Sequence, residues 1–327
     1  MSVRALITGC SGQDGSYLAE LLLTKGYEVH GIIRRQSVAE HQESRLDHLG
    51  DQVRTYYGDL LDAASLVEIV TKVRPDEVYN LAAQSHVRVS FDVPIFTAQT
   101  NALGAMQMID VCRRVVPGCR YYQASSSEMF GTAVDGDGYQ RETTPMHPTS
   151  PYGIAKVFAF NTVRHYRRAY GMHATNGILF NHESPRRGST FVTAKVVKGA
   201  VLIHRGHLSK LHLGNMDSHR DWGHSKDYVR AMHLMLQQSA PGDWVVATGE
   251  TRTVRQLCEH VFGRLGMDYR EHVVQDAKFL RPEELPYLRG DSARIRALGW
   301  APTYTFETML DEIVEYWLER IPVKVVG

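Results

Sequence analysis

Residues 5–18, ALITGCSGQDGSYL, set Gly9, Gly12 and Gly15 between an apolar run and a segment whose apolar residues recur with helical period. No other stretch limits the possible folds as sharply. A side chain at any of these glycines would hold the backbone away from a pyrophosphate lying on the helix N-terminus, where free amide hydrogens and the helix dipole favour an anion. A glycine triplet alone says little, but a strand before it and a helix after it form the context of a dinucleotide cradle. Gly9, Ser11, Gly12, Gln13, Asp14 and Gly15 are therefore expected at a cofactor's phosphates.

The same alternation continues through EVHGIIR, VRTYYGD, AASLVEIVTKV, EVYNLAA, ALGAMQMIDVCRRV and RYYQASS. Strand, helix and strand in repeated order predict an α/β fold, a Rossmann-type doubly wound parallel sheet with helices on both faces. A further helix, PYGIAKVFAFNTVRHYRRAYG, begins with proline in its first turn and stops at Gly171, both boundary signals. After ATNGILFN the texture changes to polar, turn-rich loops such as HESPRRGST and GNMDSHRDWGHSKD. The expected division is a dinucleotide-binding domain over 1–181 with 223–250 returning to it. A smaller, mixed α/β C-terminal region over 182–222 and 251–327 would hold the substrate.

The 327 residues are 43% hydrophobic and 22% charged, with a formal charge of +1 and no run of like charge. That balance gives no reason to expect nucleic acid or a membrane as partner. Cys10, Cys112, Cys119 and Cys258 show no CxxC spacing and read as small buried hydrophobes in a reducing, cytoplasmic compartment; no metal is expected. The chain enters a strand at once and has no apolar stretch near eighteen residues, so it reads as soluble and unprocessed.

The end of the second strand bears on which dinucleotide binds. An NAD site usually offers a carboxylate there to the adenosine ribose, whereas GIIRRQS offers Arg34 and Arg35, which suit a 2′-phosphate. NADP is the expected cofactor. Asp59, followed by Leu60, ends the third strand beside the adenine, and Leu81, Ala82, Ala83, Gln84 and Ser85 end the fourth along the cofactor.

SPYGIAK spaces Tyr152 and Lys156 four residues apart on one helical face. The ammonium is then expected to lower the phenol's pKa and let it act as a base toward a sugar hydroxyl. Ser126 ends the strand before it, and two residues on comes Glu128, a carboxylate that a simple alcohol dehydrogenase does not need.

These residues resemble the extended short-chain dehydrogenase/reductases and, within them, the GDP-mannose 4,6-dehydratase family. The match runs nearly end to end, through TGCSGQDGSYLAELLLTKGYEVHGIIRR, YQASSSEMFG, SPYGIAK, GILFNHESPRRGSTFVT, LGNMDSHRDWGHSKDYV and RPEE. The resemblance implies that Ser126 stands at the family's catalytic threonine, Glu128 at its base, and Tyr152 and Lys156 at its tyrosine and lysine. It places His182 and Arg187 on NADP. It places Lys195, Arg220, Arg281 and Glu284 in the pocket for the GDP moiety, joined by Ser85, Asn181, Glu183 and Val192. Elementary chemistry agrees: Arg220 and Arg281 can pair with diphosphate oxygens, and Glu284 can accept from a guanine edge. Trp222 and the apolar spacing of FAFNTVRHY read as packing.

The implied partner is GDP-mannose or a closely related GDP-sugar, and the implied activity is its dehydration to a 4-keto-6-deoxy sugar with the nicotinamide cofactor recycled in place. Ser126 departs from the family's usual threonine but keeps the hydroxyl, and Phe130 replaces a common tyrosine. The span between the second and third strands is short and glycine-poor where many members use it to join subunits, which favours a homodimer over a homotetramer. Three other readings stay open on the residues: a dehydratase for a GDP-heptose, a 4-epimerase or 4-keto reductase, and a non-catalytic NADP-binding regulator. Glu128 argues against the second, and the intact Ser126, Glu128, Tyr152 and Lys156 set against the third.

Overall fold

The first strand, β1 (Arg4–Thr8), is buried along its apolar run and lies parallel to β2 (Glu28–Ile33), with Ala5 opposite Val29 and Ile7 opposite Gly31. Between them α1 (Gln13–Thr24) buries Tyr17, Leu18, Ala19 and Leu22 against the sheet. The computed structural model describes residues 2–35, 45–280 and 282–324. Next come β3 (Val53–Tyr57), α2 (Ala63–Val73) and β4 (Glu77–Asn80). The side chain of Asp62 starts α2 by accepting from the amides of Ala64 and Ser65, which meets two of the donors a helix start leaves unpaired.

Two short helices, α3 (Val87–Asp92) and α4 (Pro94–Ala98), lead through a π-helical turn at Gln99–Leu103 into α5 (Gly104–Val115). Then follow β5 (Arg120–Ser126), α6 (Pro151–Tyr170) and β6 (Ala174–Leu179). Ser150 caps α6 through the Gly153 amide at 3.0 Å, and Gly171, at φ 65°, ends it. A left-handed residue there is easiest for glycine.

Beyond β6 lie β7 (Asn181–Glu183), α7 (Val192–His204), β8 (Leu211–Leu213), β9 (His219–Arg220), β10 (Trp222–His224), α8 (Ser225–Leu236) and β11 (Asp243–Val246). The central sheet is seven-stranded and parallel throughout, in the order β3-β2-β1-β4-β5-β6-β11. This is the doubly wound Rossmann-type fold. One face buries α1 and α8 with Trp300, the other α2, α5 and α6. A separate apolar cluster joins α7 to the helices Val254–Arg264 and Phe306–Arg320. Strand order reverses between β1 and β4, and ligands of such sheets bind in the crevice beyond the strand ends at that point.

One expected strand divides. The run 174–181 leaves the central sheet after Leu179, and Asn181–Glu183 pairs instead with β10, His182 opposite Gly223. Periodicity does not report this, because both halves remain extended while only the partner changes. The transfer carries His182 and Glu183 to the wall of the crevice.

Among the described residues, no helix is long and apolar enough to cross a membrane.

Candidate active site

The crevice beyond β1 and β4 has two connected halves. Gly9 turns the chain at φ +66°, and a Cβ there would come within 3.0 Å of the Ala82 backbone; a Cβ on Gly15 would meet Cys10 Cα at 2.7 Å. The glycines thus let the turn sit against both the end of β4 and its own helix, leaving a backbone cradle open to a phosphate. Gly9, Ser11, Gly12, Gln13, Asp14, Gly15, Arg34, Asp59, Leu60, Leu81, Ala82, Ala83, Gln84, Ser85 and Arg187 all line this half. Arg35 is exposed and does not. Ser126, Glu128, Tyr152, Lys156, Asn181, His182, Glu183, Val192, Lys195, Arg220 and Glu284 line the other half. Asp14, Leu81, Ala83, Ser85, Arg187 and Phe191 belong to both, so the halves form one cleft. Arg281 lies outside the described residues.

The candidate reacting groups come from two elements packed tightly together. β5 ends in Ser126, whose hydroxyl accepts from the Glu128 amide at 3.2 Å and fixes a single tight turn that presents Glu128. Gly153, in the first turn of α6, lies against that turn: a Cβ there would sit 2.7 Å from the Glu128 carbonyl oxygen. Glycine inside a helix costs stability, and here it lets Tyr152 approach Glu128.

Lys156 donates to the Ala124 carbonyl at 2.8 Å, and its Nζ stands 5.6 Å from the Tyr152 ring centroid. The expectation that the ammonium would lower the phenol's pKa differs from what this geometry produces. Burial pushes Tyr152 up to about 12, against the hydrogen bond with Ser126 and with the charge of Glu128. Burial likewise brings Lys156 down to about 8, opposed by the charge of Asp14. Desolvation penalises whichever form carries charge, and sequence spacing does not report burial depth.

A buried ion pair ties the halves together. His182 donates from Nε2 to Asp14 and from Nδ1 to the Phe180 carbonyl, each at 2.7 Å. Two acceptors facing two ring nitrogens require the doubly protonated ring. Burial pulls the imidazole's pKa down, but the charge and hydrogen bond of Asp14 outweigh it and the pKa is raised. Burial would raise Asp14; His182 and the Ser225 hydroxyl, donating at 2.7 Å, hold it at about 2. The raised histidine contributes stability that is full below its ordinary 6.5 and lost as pH rises through its folded value. The depressed aspartate's contribution is present above its ordinary 3.8 and lost as pH falls toward about 2. The pair is therefore strongest between those two ordinary values. In ¹⁵N spectra of histidine-labelled protein followed across pH, His182 is expected to keep both ring nitrogens protonated to a higher pH than an ordinary histidine, and Asp14→Asn to remove that difference. A parent ring that loses its proton below the ordinary 6.5 would contradict the assignment.

Sequence reasoning did not single out several lining groups. Arg45 and Arg186 flank the cofactor half, and His86, Arg88, Lys278 and Phe279 the other half. Lys195 stands 3.5 Å over the Phe279 ring, and Arg187 pairs with Glu183 at 3.1 Å while lying 3.6 Å over Phe191. The cation beside an aromatic ring at 278–279 was visible as a pattern, but such a pair is ordinary on any surface.

A dinucleotide cradle at the sheet's switch point, running without a break to a Tyr-Lys pair at the head of α6, defines the extended short-chain dehydrogenase/reductase class. The model of one family, described as GDP-mannose 4,6 dehydratase, matches residues 6–313. A GDP-mannose 4,6 dehydratase of Arabidopsis thaliana is 48% identical, with 96% of this chain and 90% of that protein covered. One from Vibrio cholerae is 45% identical, covering 96% and 93%. A dTDP-glucose 4,6-dehydratase of Streptomyces venezuelae, solved with NAD bound, superposes with a TM-score of 0.84 at 25% identity over 97% of each chain. The chain belongs to the GDP-mannose 4,6-dehydratase family.

Proposed function

We propose that this protein converts GDP-mannose to GDP-4-keto-6-deoxymannose and water, using an NADP that stays bound through the cycle. The observation that carries the reading is the juxtaposition of Glu128 and Ser126 on one turn with Tyr152 and Lys156, all facing the cleft. The cradle fits a dinucleotide, since its glycines leave open the space that side chains would fill. When bound, the nicotinamide supplies a place to hold the hydride taken from sugar C4 until it returns at C6.

The chain's own residues supply the proton chemistry. Tyr152 takes the proton of the C4 hydroxyl as a phenolate, a form that burial disfavours and that the positive charge of an oxidised nicotinamide would favour when bound, with Ser126 hydrogen-bonded to it and Lys156 behind it. The ketone formed at C4 makes the C5 hydrogen acidic. Glu128 removes that proton and assists departure of the C6 hydroxyl as water. A proton then returns to C5, balanced by release of the one that Tyr152 took from the C4 hydroxyl, so that Tyr152 and Glu128 end the cycle in the states in which they began it. Lys195, Arg220 and Glu284 line the part of the cleft where the nucleotide is placed by this reading.

Support for a homodimer comes from α6 and its neighbour, where Ile154, Phe158, Leu103 and Met106 are exposed. Two copies packing these helices together would cover them.

Protein purified without added nucleotide is expected to turn GDP-mannose into a 4-keto product with no cofactor supplied. A strict requirement for stoichiometric reduced cofactor would point to a reductase instead, and exclusive turnover of a GDP-heptose would move the substrate but not the chemistry. Light scattering on the same sample checks the dimer against the 36.9 kDa chain.

A further inference from the structure

Arg45 occupies a place that the strand-end arginines alone do not explain. It is half-buried, follows the segment after β2, and lines the cofactor half of the cleft together with Arg34. Its Nε donates to the Arg186 carbonyl at 2.9 Å and its Nη1 to the Ser11 carbonyl at 3.2 Å. Ser11 belongs to the glycine turn, so these two bonds hold the guanidinium against the cradle. Among the described residues it makes no ion pair with a carboxylate. Burial lowers its pKa, and the nearby Arg186 adds to that effect. A cation held in place by neutral carbonyls, beside other cations, is poorly compensated until an anion arrives.

The adenosine ribose of a dinucleotide lies over the end of the second strand. In this chain Arg34 is at that end and Arg45 comes in beside the glycine turn. Arginine has five N–H donors, and two carbonyl bonds leave others for phosphate oxygens. Arg35, exposed and outside the cleft lining, has no such position.

We infer that Arg45, acting with Arg34, recognises the 2′-phosphate of the cofactor and is a determinant of NADP over NAD. The inference rests on the proposed use of NADP. It shifts the second cation of that choice from the strand end to a residue ten positions further on, which no strand-end rule would select.

The test needs no turnover. Calorimetry would compare adenosine 2′,5′-bisphosphate with 5′-AMP, which differ only in the 2′-phosphate, on cofactor-stripped protein and on Arg45→Gln, Arg34→Gln and Arg35→Gln. Losing charge-assisted hydrogen bonds to a phosphate should weaken the bisphosphate by about 10- to 100-fold in Arg45→Gln. Its 5′-AMP affinity should stay at the parent value, which also shows that the adenosine site is intact. Arg35→Gln should change the ratio of the two affinities little.

A parent ratio retained in Arg45→Gln would overturn the inference while leaving NADP in place, provided the parent protein prefers the bisphosphate. Equal weakening of both ligands would also overturn it, by showing that Arg45 only holds the loop. A parent protein that binds the two ligands equally would remove the NADP reading and this inference with it.

Discussion

Glu128→Gln is expected to slow formation of the 4-keto-6-deoxy product by on the order of 10² to 10⁴, the usual contribution of a positioned acid or base. The amide keeps the size and polarity of the carboxylate but has no basicity. Ser126 still caps the turn through the backbone amide of residue 128, so position is preserved. In the proposed mechanism oxidation at C4 depends on Tyr152, so it should survive. Reduced-nicotinamide absorbance should therefore rise after GDP-mannose is added and persist, and solvent deuterium should enter C5 slowly or not at all. Tyr152→Phe blocks the earlier step, and the same experiment should then give no absorbance change. Product formation by Glu128→Gln at the parental rate would overturn the proposed mechanism while leaving the fold and family untouched.

The second large effect comes from a residue that touches no reacting atom. Gly153→Ala places a Cβ 2.7 Å from the Glu128 carbonyl oxygen and 3.0 Å from Pro148 Cβ. Backbone cannot yield there as the tip of a side chain would, so α6 must move away from the Glu128 turn. A displacement on the order of 1 Å can cost about 10²-fold when two catalytic groups must meet one substrate. Turnover is expected to fall by about that factor, while adenosine 2′,5′-bisphosphate binds with parental affinity because the half of the cleft proposed for it takes no lining residue from α6. Alanine favours an isolated helix more than glycine does, so a stabilised, fully active variant would show that the close approach carries no weight.

Local pattern was enough for much of this molecule. The helix Ala63–Val73, the strand Arg120–Ser126 and the start of the helix at Pro151 follow from hydrophobic period and from capping residues within four positions of each boundary. The glycine turn and the Tyr-Lys spacing are local for the same reason: neighbours along the chain determine them. The α/β class and the glycine cradle are legible in this way, and so is the candidate set Ser126, Glu128, Tyr152 and Lys156.

How those groups meet depends on contacts between residues far apart in the chain. Asp14 and His182 are separated by 168 positions and pair only because the run 174–181 changes partner strand after Leu179. Arg45 reaches the cofactor half through carbonyls 34 and 141 positions away, and no periodicity marks it. The spacing of Tyr152 and Lys156 predicts a lowered phenol, yet burial moves it up. Spacing along a helix records which side chains share a face, whereas desolvation and long-range pairing depend on what the rest of the chain brings against that face.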